Sequence, residues 1–197
     1  MSIQEAKPRR GRPITTDPNT VSLAALKLFQ QRGIENVTMD EVAVIAGISR
    51  SNLFRIFPSK AAVVWGGVHK FQEELAQRLE SSKDSDLVSL LHSSWVGAMH
   101  ELDDTLETLR LRLKLIGSSP EVYGWGQGQL DEVRTVIEAS VVRNGGDALR
   151  AKTVSAAIVS ASMAILIHWA QTDDPRPPSK ILDEGFADFE SLFSQAK

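Results

Sequence analysis

The sequence predicts an all-α protein of about nine helices, and three observations carry that expectation. Apolar residues recur at helical rather than alternating spacing along most of the chain. Thr38 is followed three residues later by Glu41, the capping-box signature of a helix start. The periodic segments are separated by clusters of Gly, Ser, Asp and Pro, which end one helix and begin the next.

Leu23, Leu26, Leu28 and Phe29, with Ala24 and Ala25 between them, mark the first helix, which stops before Gly33. In the second, the Thr38 hydroxyl and the Glu41 carboxylate each satisfy an orphan N–H of the first turn, and the helix runs to about Ala46. Gly47 takes a positive φ at little cost and ends it; Ser49 caps a third helix by accepting from an N–H two or three residues on. Ile48, Leu53 and Phe57 are its inward residues, and Pro58-Ser59 closes it and caps a fourth helix from Lys60. Beyond, helical segments are expected near 60–82, 86–101, 103–118, 120–143, 147–171 and 178–195.

Two short helices joined by a tight Gly-containing turn form the helix-turn-helix pattern. The first braces across the DNA backbone and the second lies in the major groove, so its outer face must reach base edges. Ser51, Asn52 and Arg55 meet that need: Arg forks onto guanine, Asn onto adenine, and Ser fits either. Arg50 also lies off the apolar face, and Thr38 and Lys60 sit at helix starts, where donors hold phosphates. A plain helical hairpin with a solvated polar face is the alternative.

Charge supports the first reading when it is divided. Residues 1–60 hold nine Lys or Arg against five Asp or Glu, or +4, while the remainder holds thirteen against twenty, or −7. A basic front on an acidic body places the polyanion at the front, although a chance surface imbalance gives the same arithmetic.

The run AALKLFQQRGIENVTMDEVAVIAGISRSNLFRIFPSKAAVV, Ala24 to Val64, resembles the N-terminal DNA-binding domain of the TetR family of bacterial transcriptional regulators. Ala25, Phe29, Gly33, Thr38, Val42-Ala43, Ala46-Gly47-Ile48-Ser49, Leu53, Phe57 and Lys60 all fall at the family's spacing. The resemblance implies DNA contacts from Thr38, Ser49, Arg50, Ser51, Asn52, Phe54, Arg55 and Lys60. Phe54 stands where the family usually has Tyr, and Ile56 where His or Tyr is frequent. Both lose a polar tip, so backbone anchoring falls to Thr38, Lys60 and backbone N–H groups.

The domains expected are a basic arm over 1–15, a helix-turn-helix domain over 16–60 and an effector-binding and dimerisation body over 61–197. In the arm, Arg9, Arg10 and Arg12 form a basic tract suited to an adjacent minor groove, and a frayed terminus is the other reading. In the body, Val154, Ala157, Ile158, Ala161, Ile165 and Trp169 make one apolar face, and Ile181, Phe186, Phe189 and Phe193 another. A buried core explains such stripes, whereas the resemblance implies that this helix pair builds a four-helix bundle with its copy in a homodimer. Two recognition helices roughly 34 Å apart then match a pseudo-palindromic operator.

Trp65, Trp95, Met99, Leu109, Leu113, Ile116, Tyr123 and Trp125 are candidates for an apolar effector pocket, or for ordinary core. Arg110, Arg112 and Lys114 place cations beside that stripe, with a solvated, ion-paired face as the alternative. The stretch Arg110 to Glu121, with FRIFPSKAAVVWG, is similar to a subgroup that includes the mycofactocin-system regulators; that resemblance implies a long-chain acyl-CoA effector, cations meeting phosphate or carboxylate.

An enzyme has little support. His69, His92, His100 and His168 are scattered, there is no HExxH, GxSxG or P-loop, and YGWGQGQ lacks the Lys and Ser or Thr of a phosphate cradle. No metal or cofactor is expected. The absence of cysteine excludes disulfides and thiolate sites and makes a reducing cytoplasm the natural setting. No uninterrupted apolar run approaches the roughly 20 residues of a bilayer span, so no membrane association is expected. The function expected is a ligand-responsive repressor on a palindromic operator; a constitutive regulator or an activator without effector is the alternative.

Overall fold

The computed structural model describes residues 17–82, 84, 86–102 and 105–194, and the side chains among them except those of 189, 190 and 192–194. The described residues form eleven α-helices and one 3-10 turn. Helix α1 spans Pro18–Arg32, α2 Met39–Ile45, α3 Arg50–Ile56, α4 Lys60–Trp65, α5 Val68–Ser81 and α6 Leu87–His100. Helix α7 spans Leu106–Ser118, α8 Pro120–Trp125, α9 Gln127–Arg143, α10 Ala148–Gln171 and α11 Pro178–Ser194.

The first three helices and the 3-10 turn Ile34–Asn36 enclose a core of Val21, Leu26, Phe29, Val42, Leu53 and Phe57, all buried. The local chemistry sets their ends. Asp17 caps α1 by accepting from the N–H groups of Asn19 and Thr20. Thr38 and Glu41 close a complete capping box on α2, and Gly47, at φ 66, makes the turn before Ser49 caps α3.

In the body, α9 packs along α10, α10 against α7 and α11, and α6 against α5 and α11. Trp169, Ile137, Leu75 and Leu182 are fully buried among them. Helices α1 and α4 both lie against α7, so the DNA-binding part and the body share a packed seam.

Two expected helices are each broken in two. Segment 60–82 divides at Gly66-Gly67, and a Cβ on Gly66 would stand 3.0 Å from the Phe57 ring. Segment 120–143 divides at Gly126, where the Trp65 ring occupies the place of a side chain. Helix α10, at 24 residues, is long and apolar enough to cross a bilayer by length and composition alone. Its Ser and Thr residues interrupt any continuous apolar run, which is why the sequence concealed it. In the fold, Ser155, Val159, Met163, Leu166 and Trp169 bury one side of it in the body.

Candidate DNA interface and ligand cavity

Helix α3 presents two distinct faces. Leu53 is buried, whereas Arg50, Ser51, Phe54 and Arg55 are exposed and Asn52 is half-buried. The Ser49 hydroxyl accepts from the Asn52 N–H at 3.3 Å. The Arg55 guanidinium donates to Asn52 Oδ1 at 2.6 Å, so the two side chains stand together on the open surface. Arg50 pairs with Asp40 at 3.0 Å and lies 5.4 Å from the centre of the Phe54 ring.

The flanking residues have internal partners. Thr38 Oγ1 and its N–H both donate to Glu41 Oε2, at 2.9 and 2.8 Å, and Arg32 donates to the other Glu41 oxygen at 2.7 Å. The Thr38 N–H first, then Arg32, hold the Glu41 carboxyl down to about 2. Lys60, half-buried at the start of α4, donates one hydrogen bond to the Ile34 carbonyl at 2.7 Å. Arg9, Arg10 and Arg12 lie outside the described residues.

The body holds a partly open cavity of ≈ 290 Å³, which Asn19 of α1 also borders. Trp65, Trp95, Met99, Leu109, Arg112, Leu113 and Ile116 line it. Tyr123 and Trp125 do not: Trp125 is 43% exposed at the end of α8, and Tyr123 packs against the core outside the cavity wall. Sequence reasoning missed Phe71, Val133, Val159, Met163 and Leu166, which also line it. Val159, Met163 and Leu166 follow helical spacing, a signal overlooked because a neighbouring stripe of α10 was assigned to a partner copy.

The three cations of α7 part company. Arg110 stacks 3.9 Å from the centre of the Trp169 ring and donates to the carbonyls of Trp169 and Asp174. Lys114 pairs with Asp173 at 2.6 Å, which lowers the Asp173 carboxyl below its usual value. Arg112 alone faces the cavity, and it is buried, at 6% exposure. Its Nη1 donates to the carbonyls of Val63 and Val64, at 2.6 and 2.7 Å. Burial pushes its guanidinium down to about 10, so it stays charged at neutral pH.

On α10, Val154, Ala157, Ile158, Ala161 and Ile165 are half-buried. Two residues expected at a partner interface instead lie inside the protomer. Trp169 is completely buried, with its Nε1 donating to the Arg176 carbonyl at 2.8 Å. Phe186 is buried edge-on to Trp95 and His92. The turn after α10 brings residues 173–176 back over the end of that helix, which is what covers Trp169. The side chains of Phe189 and Phe193 lie outside the described ones. Among the described residues, no group of three or more His, Asp or Glu converges as a metal site would.

A helix-turn-helix carried on a helical body is the architecture of a helical DNA-binding protein. The pattern described as bacterial regulatory proteins, tetR family, matches residues 23–64, and that of the MftR C-terminal domain matches residues 85–194. The chain belongs to the TetR family of bacterial regulatory proteins, with a body of the MftR type. It is a DNA-binding transcriptional regulator, and its relatives and fold are those of regulators, not enzymes.

Over 172 residues it is 29% identical to the mycofactocin biosynthesis transcriptional regulator MftR of Mycobacterium tuberculosis, covering 84% of this chain and 85% of that one. Its fold is similar to the fatty acid degradation regulator FadR of Bacillus halodurans, with TM-score 0.65, 12% identity, and coverage of 87% of this chain and 96% of that one. It is also similar to Thermus thermophilus FadR, a TetR family repressor solved with lauroyl-CoA, with TM-score 0.56, 17% identity, and coverage of 87% and 92%.

Proposed function

We propose that the protein is a homodimeric, ligand-responsive repressor that occupies a palindromic operator in the cytoplasm and leaves it when an amphipathic small molecule fills the body cavity. Ser51, Asn52 and Arg55 read bases, and Thr38, Ser49, Arg50, Phe54 and the arm residues Arg9, Arg10 and Arg12 contact the backbone and minor groove. The exposed faces of α10 and α11, with Val154, Ala157, Ile158, Ala161 and Ile165 at their edge, form the dimer contact.

One observation carries this reading: the cavity and the DNA-binding part share helix α4. Val64 and Trp65, its last residues, line the cavity, while Lys60, its first, is bonded to Ile34 beside α2. A ligand that displaces Val64 and Trp65 therefore moves the segment leading directly from the recognition helix. It shifts the equilibrium only by its difference in affinity between the two states, and about 1–3 kcal/mol gives a useful switch.

The T. thermophilus relative in complex with lauroyl-CoA supports an acyl tail in the cavity. Arg110 and Lys114, two of the three cations that favoured a coenzyme, are directed instead to Trp169 and Asp173. The test is fluorescence anisotropy with the DNA immediately upstream of the protein's own gene, at near-physiological salt, with and without lauroyl-CoA. Tight binding at a palindrome that the ligand releases supports the switch. Tight binding that no amphipathic ligand changes leaves a constitutive regulator, and binding no better than to random DNA refutes this operator.

A further inference from the structure

We infer that Arg112 is the head-group receptor of the cavity, and that the ligand it selects is an apolar carboxylate, anionic at neutral pH, rather than a neutral molecule or a thioester. The inference rests on the proposal that the cavity is a ligand site, and it names the chemistry of that site.

Arg112 is buried in a mainly apolar wall that includes Val64, Phe71, Leu109 and Leu113, with Asn19, Lys70, Thr105 and Thr108 as further polar members. Only its Nη1 makes hydrogen bonds, and both acceptors, the carbonyls of Val63 and Val64, are neutral. Among the described residues no carboxylate pairs with it, and its Nε and Nη2 donate to nothing. The outer edge of a guanidinium is a planar pair of donors whose spacing matches the two oxygens of a carboxylate. A buried cation without a counter-charge is costly, and an incoming anion removes that cost.

A second group asks for an acceptor. Trp95, another wall residue, is 4% exposed, and its indole Nε1 is buried with no hydrogen-bond partner. An indole N–H can only donate, so a ligand oxygen is the partner it lacks. Ser162, also on the wall, already donates to the Ile158 carbonyl at 2.7 Å. Arg112 and Trp95 are thus two buried donors of the wall with capacity left for a ligand oxygen.

Size narrows the choice. A cavity of ≈ 290 Å³ suits one medium-length chain or a compact ring system. A thioester presents a neutral carbonyl at the end of such a chain and leaves Arg112 unpaired. A carboxylate on the free Nε–Nη2 edge leaves the Nη1 bonds to Val63 and Val64 in place, so one guanidinium joins the head group to the C-terminal end of α4.

The test reads tryptophan fluorescence, since Trp65 and Trp95 stand in the wall, during titration with decanoate, methyl decanoate, decanol and decanoyl-CoA without DNA. Wild-type protein is expected to bind decanoate at least about tenfold more tightly than the ester or the alcohol, as a charged hydrogen bond warrants. Arg112→Gln abolishes that preference, and Arg112→Lys retains part of it. The wild-type ligand series needs no variant to fold. Equal affinity for acid, ester and alcohol, absence of decanoate binding, or decanoyl-CoA binding more tightly than decanoate overturns the inference. Because DNA is absent, such a failure leaves operator binding untouched, and failure to bind an operator leaves this result standing.

Discussion

Replacing Gly126 by Ala tests how the body holds α4. The backbone there has φ −77, which alanine adopts without strain. On backbone grounds alone the change stabilises by about 0.4–1 kcal/mol through the unfolded chain. The added Cβ, however, would stand 2.0 Å from Trp65 Cε2 and 2.1 Å from Cζ2, where ordinary contact begins at 3.4 Å. The ring cannot simply swing away, because it is buried and its Nε1 donates to the Val122 carbonyl at 2.8 Å. Overpacking costs about 1–3 kcal/mol and the strained hydrogen bond about 1 kcal/mol more. The balance is a loss of about 2 kcal/mol, or a Tm lower by about 4–8 °C for a chain of this size. Urea or thermal unfolding at matched protein concentration measures it, since dimerisation makes the midpoint concentration-dependent. In a Trp65→Leu background the same substitution should be neutral or stabilising. If Gly126→Ala is as stable as wild type, or loses the same amount in both backgrounds, the clash with Trp65 is not what requires glycine.

Other variants test the DNA side. Arg55→Ala and Asn52→Ala should each weaken operator binding by about 1–3 kcal/mol while sparing random DNA; equal loss on both, measured by anisotropy, makes them backbone contacts. Lys60→Met removes a charged donor from the Ile34 carbonyl and should lower stability by about 1–3 kcal/mol, read by urea unfolding. The Glu41 carboxyl is depressed from 4.5 to about 2 in the fold, so its stabilising contribution is complete above about pH 5 and disappears as pH falls towards 2. Glu41→Gln should accordingly be less stable than wild type at neutral pH, the gap closing on acidification, as urea midpoints across pH would record.

What the sequence disclosed was the chemistry that acts over three or four residues. Thr38 with Glu41, Gly47, and Ser49 with Asn52 set helix ends through neighbours in the chain, so they were legible. The breaks at Gly66 and Gly126 were not, and the rings that crowd these glycines, Phe57 and Trp65, reach them through the fold. Apolar stripes on α10 and α11 were equally visible, but periodicity does not say which neighbour covers a stripe. The return of residues 173–176 over Trp169 is invisible to it. The separation of Arg112 from Arg110 and Lys114 was readable in principle. Residues four apart share a helix face and residues two apart do not, so the middle cation of LRLRLKL had to point away from the other two.

Helix α3 divides its labour by side, with Leu53 committed to the interior and Ser51 and Arg55 committed to none of it. Duplicated copies of such a gene can therefore exchange the outward residues freely and acquire new target sequences without endangering the fold. Divergence of regulatory circuits then proceeds by small steps at two or three positions, while the inner face records common descent.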